Sequence, residues 1–142
     1  MISLIIGKKG TGKTKVLVEH VNDAVHVSSG NVVCVEKETK LTYDVNYRAR
    51  LVATDVFGIS GYDAFYGFLS GICAGDHDIT DIFVDATYRI AEDKERTGEE
   101  LSAFLKKVDE LSKISDTKFT FTISSDMEEL PEAMFEYCAK IN

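Results

Sequence analysis

The chain has 142 residues, 44% hydrophobic and 28% charged, with a net charge of −8. That length suits one domain with its own core, and the composition is that of a globular rather than a disordered protein. The acidic balance argues against nucleic acid and anionic lipid, no apolar run approaches the roughly 18 residues of a membrane span, and no basic leader with a cleavage site is visible, so the expectation is a cytoplasmic protein.

The elements follow in chain order. Ile2 to Ile6 is a short apolar run bounded by glycine and predicts a buried strand. From Thr14 the spacing becomes helical, with Leu17, Val21, Ala24 and Val25 on one face and Ser28-Ser29-Gly30 as the stop. Val32 to Glu36 predicts the next strand, and Leu41 to Asp55 is β-branched and aromatic, most strand-like in its last five residues. Ser60 and Asp63 have the spacing of a capping box for a helix over Tyr62 to Gly75. Its stripe of Phe65, Leu69, Ile72 and Cys73 reads as core, and Gly67 and Gly71 allow close packing. Asp81 to Asp85 is another apolar run, and Leu101, Phe104, Leu105, Val108 and Leu111 mark a clear amphipathic helix. Lys118 to Ser125 predicts a strand. Ser125 and Glu128 suggest a second capping box, before a last helix carrying Leu130, Met134, Tyr137, Cys138 and Ile141.

Strand and helix alternate with no repeat and no Pro/Gly-rich linker. The reading is one unit over residues 1–142, α/β, with a mostly parallel sheet of about five strands and helices on both faces in three layers. Cys34, Cys73 and Cys138 form no CxxC pair and each sits in an apolar pattern, which predicts buried free thiols in a reducing compartment.

Between the first strand and the first helix lies Gly7-Lys8-Lys9-Gly10-Thr11-Gly12-Lys13-Thr14, which fits G-x-x-x-x-G-K-[ST] without substitution. Glycines let successive backbone N–H groups curl towards phosphate oxygens, and the following helix points its positive end at the same anion. Lys13 would reach the β- and γ-phosphates, and the Thr14 hydroxyl would hold Mg²⁺. Lys8, Lys9, Thr11 and Lys15 complete the candidate phosphate-binding set. The bland alternative, a flexible basic turn, lacks a reason for strand before and helix after.

In motif and element order the chain resembles the P-loop NTPases. Gly10 gives G-x-x-G-x-G-K-T, the form of the additional-strand, AAA-type ATPases. The resemblance implies a single nucleotide-binding domain using ATP and Mg²⁺ as cofactors. Lys8 also stands where ParA-type ATPases carry a lysine that reaches phosphate across a dimer, although Lys9 replaces a glycine of that pattern; a solvated loop charge is the plainer reading of Lys8.

Such a site needs an acid at a neighbouring strand tip to hold the metal's water shell. Asp85, ending Ile82-Phe83-Val84-Asp85, resembles a Walker B aspartate, and Ser124 or Ser125 then falls where AAA-type proteins keep a polar sensor. The usual general base is missing, because Ala86-Thr87-Tyr88 follows; Asp55 is the carboxylate offered from another strand tip. Asp55 has a rival role, since Asp55-x-x-Gly58 matches the D-x-x-G of small GTPases, but no guanine-reading N-K-x-D is present.

Asp76, His77, Asp78 and Asp81 match no metal-loop spacing and read as a solvated turn; His20 and His26 receive no role. Arg48, Arg50, Arg89 and Arg96 are candidate arginine fingers, the last two in a polar stretch after Asp85. Tyr62 and Tyr66 could stack on a base or a partner chain, with core packing the first reading. The functional expectation is Mg²⁺-dependent ATP binding with slow hydrolysis and a conformational or partner-binding readout, the partner being another protein or a second copy. The alternatives are a small-molecule or nucleotide kinase, for which Glu36, Glu38 and Arg96 would serve, and a nucleotide-sensing or GTPase-like module that binds without turnover.

Overall fold

The computed structural model describes residues Met1–Asn142. Its centre is one sheet of six strands, all parallel: β1 (Ile2–Gly7), β2 (Asn31–Glu36), β3 (Ala49–Ala53), β4 (Ile79–Asp85), β5 (Lys118–Ser124) and β6 (Cys138–Lys140), in the order β3-β2-β4-β5-β1-β6. Helices α1 (Lys13–Val27), α2 (Tyr62–Gly75), α3 (Thr87–Ala91) and α4 (Glu99–Ser115) connect them.

Strand parity divides the sheet's two faces. Ile5, Val32, Cys34 and Phe83 join Leu17, Val21, Ala24 and Val25 of α1 in one apolar cluster. Leu4, Ile6, Val33, Val35, Ile82, Val84, Phe119, Phe121 and Ile123 join Phe65 and Leu69 of α2 and the inner face of α4 in a larger one. Helices therefore cover both faces, as a parallel sheet requires, and the α/β three-layer expectation holds at that level. No helix is long and apolar enough to cross a membrane. The three cysteines are free and buried; burial pushes the thiols of Cys34 and Cys138 up to about 12, which leaves both uncharged at neutral pH.

Several elements differ from the sequence reading. The sheet has six strands rather than five because the C-terminal segment is not a helix. Two 3-10 turns (Met127–Glu129 and Glu132–Glu136) lead into β6, which pairs with β1 from Ile2↔Cys138. The spacing of Leu130, Met134 and Cys138 satisfies burial in this form too, and the open edge of β1 supplies backbone partners that a helix would not use. Only Ala49–Ala53 of the 41–55 stretch is strand. Leu41 and Val45 instead tuck a turn into the α1-side cluster, and Asn22 fixes it through bonds to Asp44 O (3.0 Å) and from Asn46 N (2.8 Å). Neither capping box forms: α2 starts after Gly61, the Ser60 hydroxyl donates to Glu92 Oε2 at 2.5 Å, and Ser125 Oγ donates to Asp126 O at 2.9 Å. The polar stretch after Asp85 opens with α3, whose Thr87, Tyr88, Ile90 and Ala91 are buried. Tyr62 and Tyr66 pack rather than protrude, Tyr62 on Phe104 with its hydroxyl on Asp93 and Tyr66 beneath Lys107.

Gly98 begins α4 at φ 87°, where a Cβ would lie 2.7 Å from Cδ of Pro131. Gly98→Ala should cost roughly 1–3 kcal/mol of stability from left-handed strain plus that clash. Chemical denaturation measures it, and an unchanged midpoint would show that the Pro131 segment yields freely.

Candidate functional site

The glycine-rich loop closes on one carbonyl. Lys8 O accepts from Thr11 N (3.2 Å), Thr11 Oγ1 (2.7 Å) and Lys13 Nζ (2.9 Å). Gly10 and Gly12 both sit at φ 84°, a region that side chains rarely adopt, and a Cβ on Gly7 would fall 2.5 Å from Thr11 Oγ1. The motif's glycines are thus where the curl needs them. Helix α1 starts at Lys13 with no side-chain cap and no acidic residue of its own in its first turn.

Asp85 joins this loop to the sheet. Its Oδ2 accepts from Thr14 Oγ1 at 3.1 Å and its Oδ1 from Thr122 Oγ1 at 2.6 Å. By parity Asp85 shares the α1 face with Phe83, and Thr122 of β5 points the same way, opposite Phe121 and Ile123. Lys13, 8% exposed, feels Asp85 too: burial holds its amine below the usual lysine range, Asp85's charge opposes that shift, and Arg96's charge adds to it.

Glu36 is the third residue of the cluster. It pairs in register with Asp85, at the tip of β2 next to the tip of β4, and is 3% exposed. Oε1 accepts from Lys40 N at 2.8 Å, while Oε2 has no partner. Burial raises its carboxyl above the ordinary range and the charge of Asp85 adds to that, against the opposing N–H groups of Lys40 and Leu41.

The other expected residues are placed apart. Ser124 ends β5 opposite Gly7, and its hydroxyl makes no hydrogen bond; the β5 hydroxyl on Asp85 is that of Thr122. Asp55 follows β3 at the far edge of the sheet, four strand spacings or about 19 Å from β1, where Lys37 Nζ holds it at 2.8 Å. The structure does not bring Asp55 to the loop. Lys8 pairs with Asp126 at 3.4 Å, and Lys9 and Lys15 are exposed. Arg89 is taken by Glu38 at 2.7 Å, whereas Arg96 lies over the Tyr88 ring at 5.3 Å. Thr122 was hidden within an apolar strand, and Glu36 was singled out only for the kinase alternative, not as a neighbour of Asp85. Extending the α1-face parity along each strand would have marked Glu36 as the last α1-facing residue of β2 and set Thr122 on the same face as Asp85.

A curled backbone, a buried amine, a hydroxyl and two carboxylates thus meet at the C-terminal edge of the sheet. The set offers N–H and N⁺–H donors to an anion and only oxygen donors to a cation, which suits a hard divalent ion beside phosphate. Compared with known proteins, the chain matches no protein-family model and no curated protein.

Because the folded state raises the carboxyl of Glu36, it binds that proton more tightly than the unfolded chain does. The side chain therefore costs nothing below the ordinary glutamate range, and stability is lost as pH rises from about 4.5 through the raised value. Glu36→Gln, which can keep the bond from Lys40 N, should be more stable than wild type at pH 7 by roughly 1 kcal/mol and indistinguishable at pH 4. Thermal melts at the two values decide it; a wild-type advantage at pH 7 would mean that the charge is compensated.

Proposed function

We propose that this chain is a small P-loop NTPase of the additional-strand class that binds ATP with Mg²⁺ at residues 7–14 and hydrolyses it slowly, for a conformational or partner-binding readout. The observation that carries the reading is the meeting of Lys13 and Thr14 with Asp85 and Thr122. Motif and metal-side acid arise 71 positions apart in sequence yet share a hydrogen bond. The sheet order supports the class, since β5 lies between β1 and the strand that ends in Asp85.

In this reading the N–H groups of the loop and of the first turn of α1 cradle the phosphates, with Gly7, Gly10 and Gly12 permitting the close approach. Lys13 leaves the Lys8 carbonyl for the β- and γ-phosphate oxygens, and Thr14 and Asp85 hold the cation's shell. Bound Mg²⁺ would neutralise charge on those oxygens. Glu36 fills the role left open by Ala86: its free Oε2 orients the attacking water and takes up its proton, and its raised basicity fits that task. An unpartnered carboxylate oxygen beside Asp85 favours turnover over a purely sensing module. The GTPase-like alternative on Asp55 draws no support from the sheet, because β3 lies at the edge remote from the loop.

Calorimetric titration with ATP and with GTP, each with Mg²⁺, is the direct test, and ATP should bind more tightly. Lys13→Ala should weaken ATP by roughly 100-fold or more; unchanged affinity would sink the phosphate-loop reading. Asp85→Asn should weaken binding only when Mg²⁺ is present. Glu36→Gln should leave affinity intact while lowering the hydrolysis rate by about 10²- to 10⁴-fold. Equal rates for that variant and wild type would remove Glu36 from the chemistry.

A further inference from the structure

A recess of about 310 Å³ opens between Lys37, just past β2, and the segment from α3 to Arg96. Tyr88 is its one hydrophobic wall. Lys37, Arg89, Lys94 and Arg96 line it with Glu92 and Asp93, four cations against two acids in a chain whose net charge is −8.

Both acids are already engaged. Asp93 accepts from the Tyr62 hydroxyl at 2.6 Å and from Arg96 N at 3.0 Å. Glu92 accepts from the Ser60 hydroxyl and pairs with Lys37 at 3.8 Å. The cations are engaged only in part. Arg89 gives Nη2 to Glu38, which leaves its other N–H groups free, and neither Lys94 nor Arg96 has an ion-pair partner. The hydroxyl of Tyr88, a residue 2% exposed, has no hydrogen-bond partner either.

Arg96 is also held in place. Its φ is 52°, a left-handed conformation that costs a non-glycine residue on the order of 1 kcal/mol or more and persists only where the surroundings enforce it. Asp93 fixes its N–H, and its guanidinium lies 5.3 Å from the centre of the Tyr88 ring. Stacking occupies the face of the guanidinium and leaves the N–H edge for a ligand. A side chain so restrained loses little freedom on binding one.

We propose that this recess is a phosphate site, which takes free phosphate or the phosphate group of a small monoester on Arg96, Lys94 and the uncommitted N–H groups of Arg89. The excess of two positive charges along the lining matches a phosphate group, which carries about −1.5 to −2 at neutral pH. Guanidinium forks suit its oxygens. The same excess opposes a metal cation, and a single aromatic wall gives an apolar ligand little to bury against. The volume is that of a small-molecule pocket. None of residues 7–14 lines the recess, so its occupancy does not depend on the nucleotide reading.

A nuclear magnetic resonance titration of the full-length Lys13→Ala chain with sodium phosphate tests this, against sodium chloride at matched ionic strength. Lys13→Ala silences the phosphate loop, so the recess is read alone. The amides of residues 88–96 and the side-chain N–H signals of Arg89 and Arg96 should shift saturably, with a Kd of roughly 1 mM. Adding Lys94→Gln and Arg96→Gln should weaken that binding at least about tenfold. Should that variant unfold, Lys94→Gln alone is read, with a loss of about threefold. No saturable shift at these residues up to about 20 mM phosphate, a response that chloride reproduces, or unchanged binding in the glutamine variants would each overturn the proposal. Phenyl phosphate then separates the two sources. Tighter binding than inorganic phosphate assigns the recess to a small monoester. Weaker binding assigns it to free phosphate, the product of the proposed hydrolysis, and that assignment alone rests on the nucleotide reading. Because no nucleotide enters the titration, its failure would leave the ATP measurements untouched.

Discussion

The carboxylate of Asp85, held between Thr14 and Thr122, is the constraint on which the site depends. One oxygen receives a hydroxyl from the first turn of α1 and the other a hydroxyl from β5. A rotamer change in Asp85 would forfeit both bonds, so the side chain is held from two elements that are remote in sequence. The same contact fixes where α1 begins relative to the sheet. The loop of residues 7–12 must span from Gly7 to that point, which calls for the positive φ angles at Gly10 and Gly12.

Unpartnered polar atoms lie near the strand ends. Glu36 Oε2, Thr54 Oγ1, Thr87 Oγ1 and Tyr88 OH are buried without partners, and all four follow from the C-terminal ends of β2, β3 and β4. Each such atom costs free energy that the rest of the fold must offset. The offset comes from two apolar clusters on opposite faces of the sheet, where the parity of each strand supplies both layers from one short run.

The helices and inner strands were legible because they obey a period. Leu17, Val21, Ala24 and Val25, and likewise Leu101 to Leu111, bury as their spacing dictates. Legibility failed where two periods fit the same residues. Leu130, Met134 and Cys138 satisfy a helical stripe, yet the open edge of β1 offered hydrogen bonds, and the chain became two 3-10 turns and a strand. The residues 41–48 look like a strand, but Leu41 and Val45 could be buried by a turn that Asn22 pins. In both cases the decision came from a partner far away in sequence.

The site divides along the same line. The amino-acid sequence by itself determined the G-x-x-x-x-G-K-[ST] pattern, because its glycines and Lys13-Thr14 lie within eight consecutive residues and their spacing is local chemistry. It also determined the buried thiols and the α/β alternation. Strand order was not in the sequence, since pairing depends on which edges meet. That order alone set Asp85 beside Thr14, left Asp55 at the opposite edge with Lys37, and put Glu36 in register with Asp85. Asp85 ends β4, while Asp55 lies in the turn just past β3. Only the lateral position of their strands, in steps of about 4.8 Å, decides which one reaches the loop.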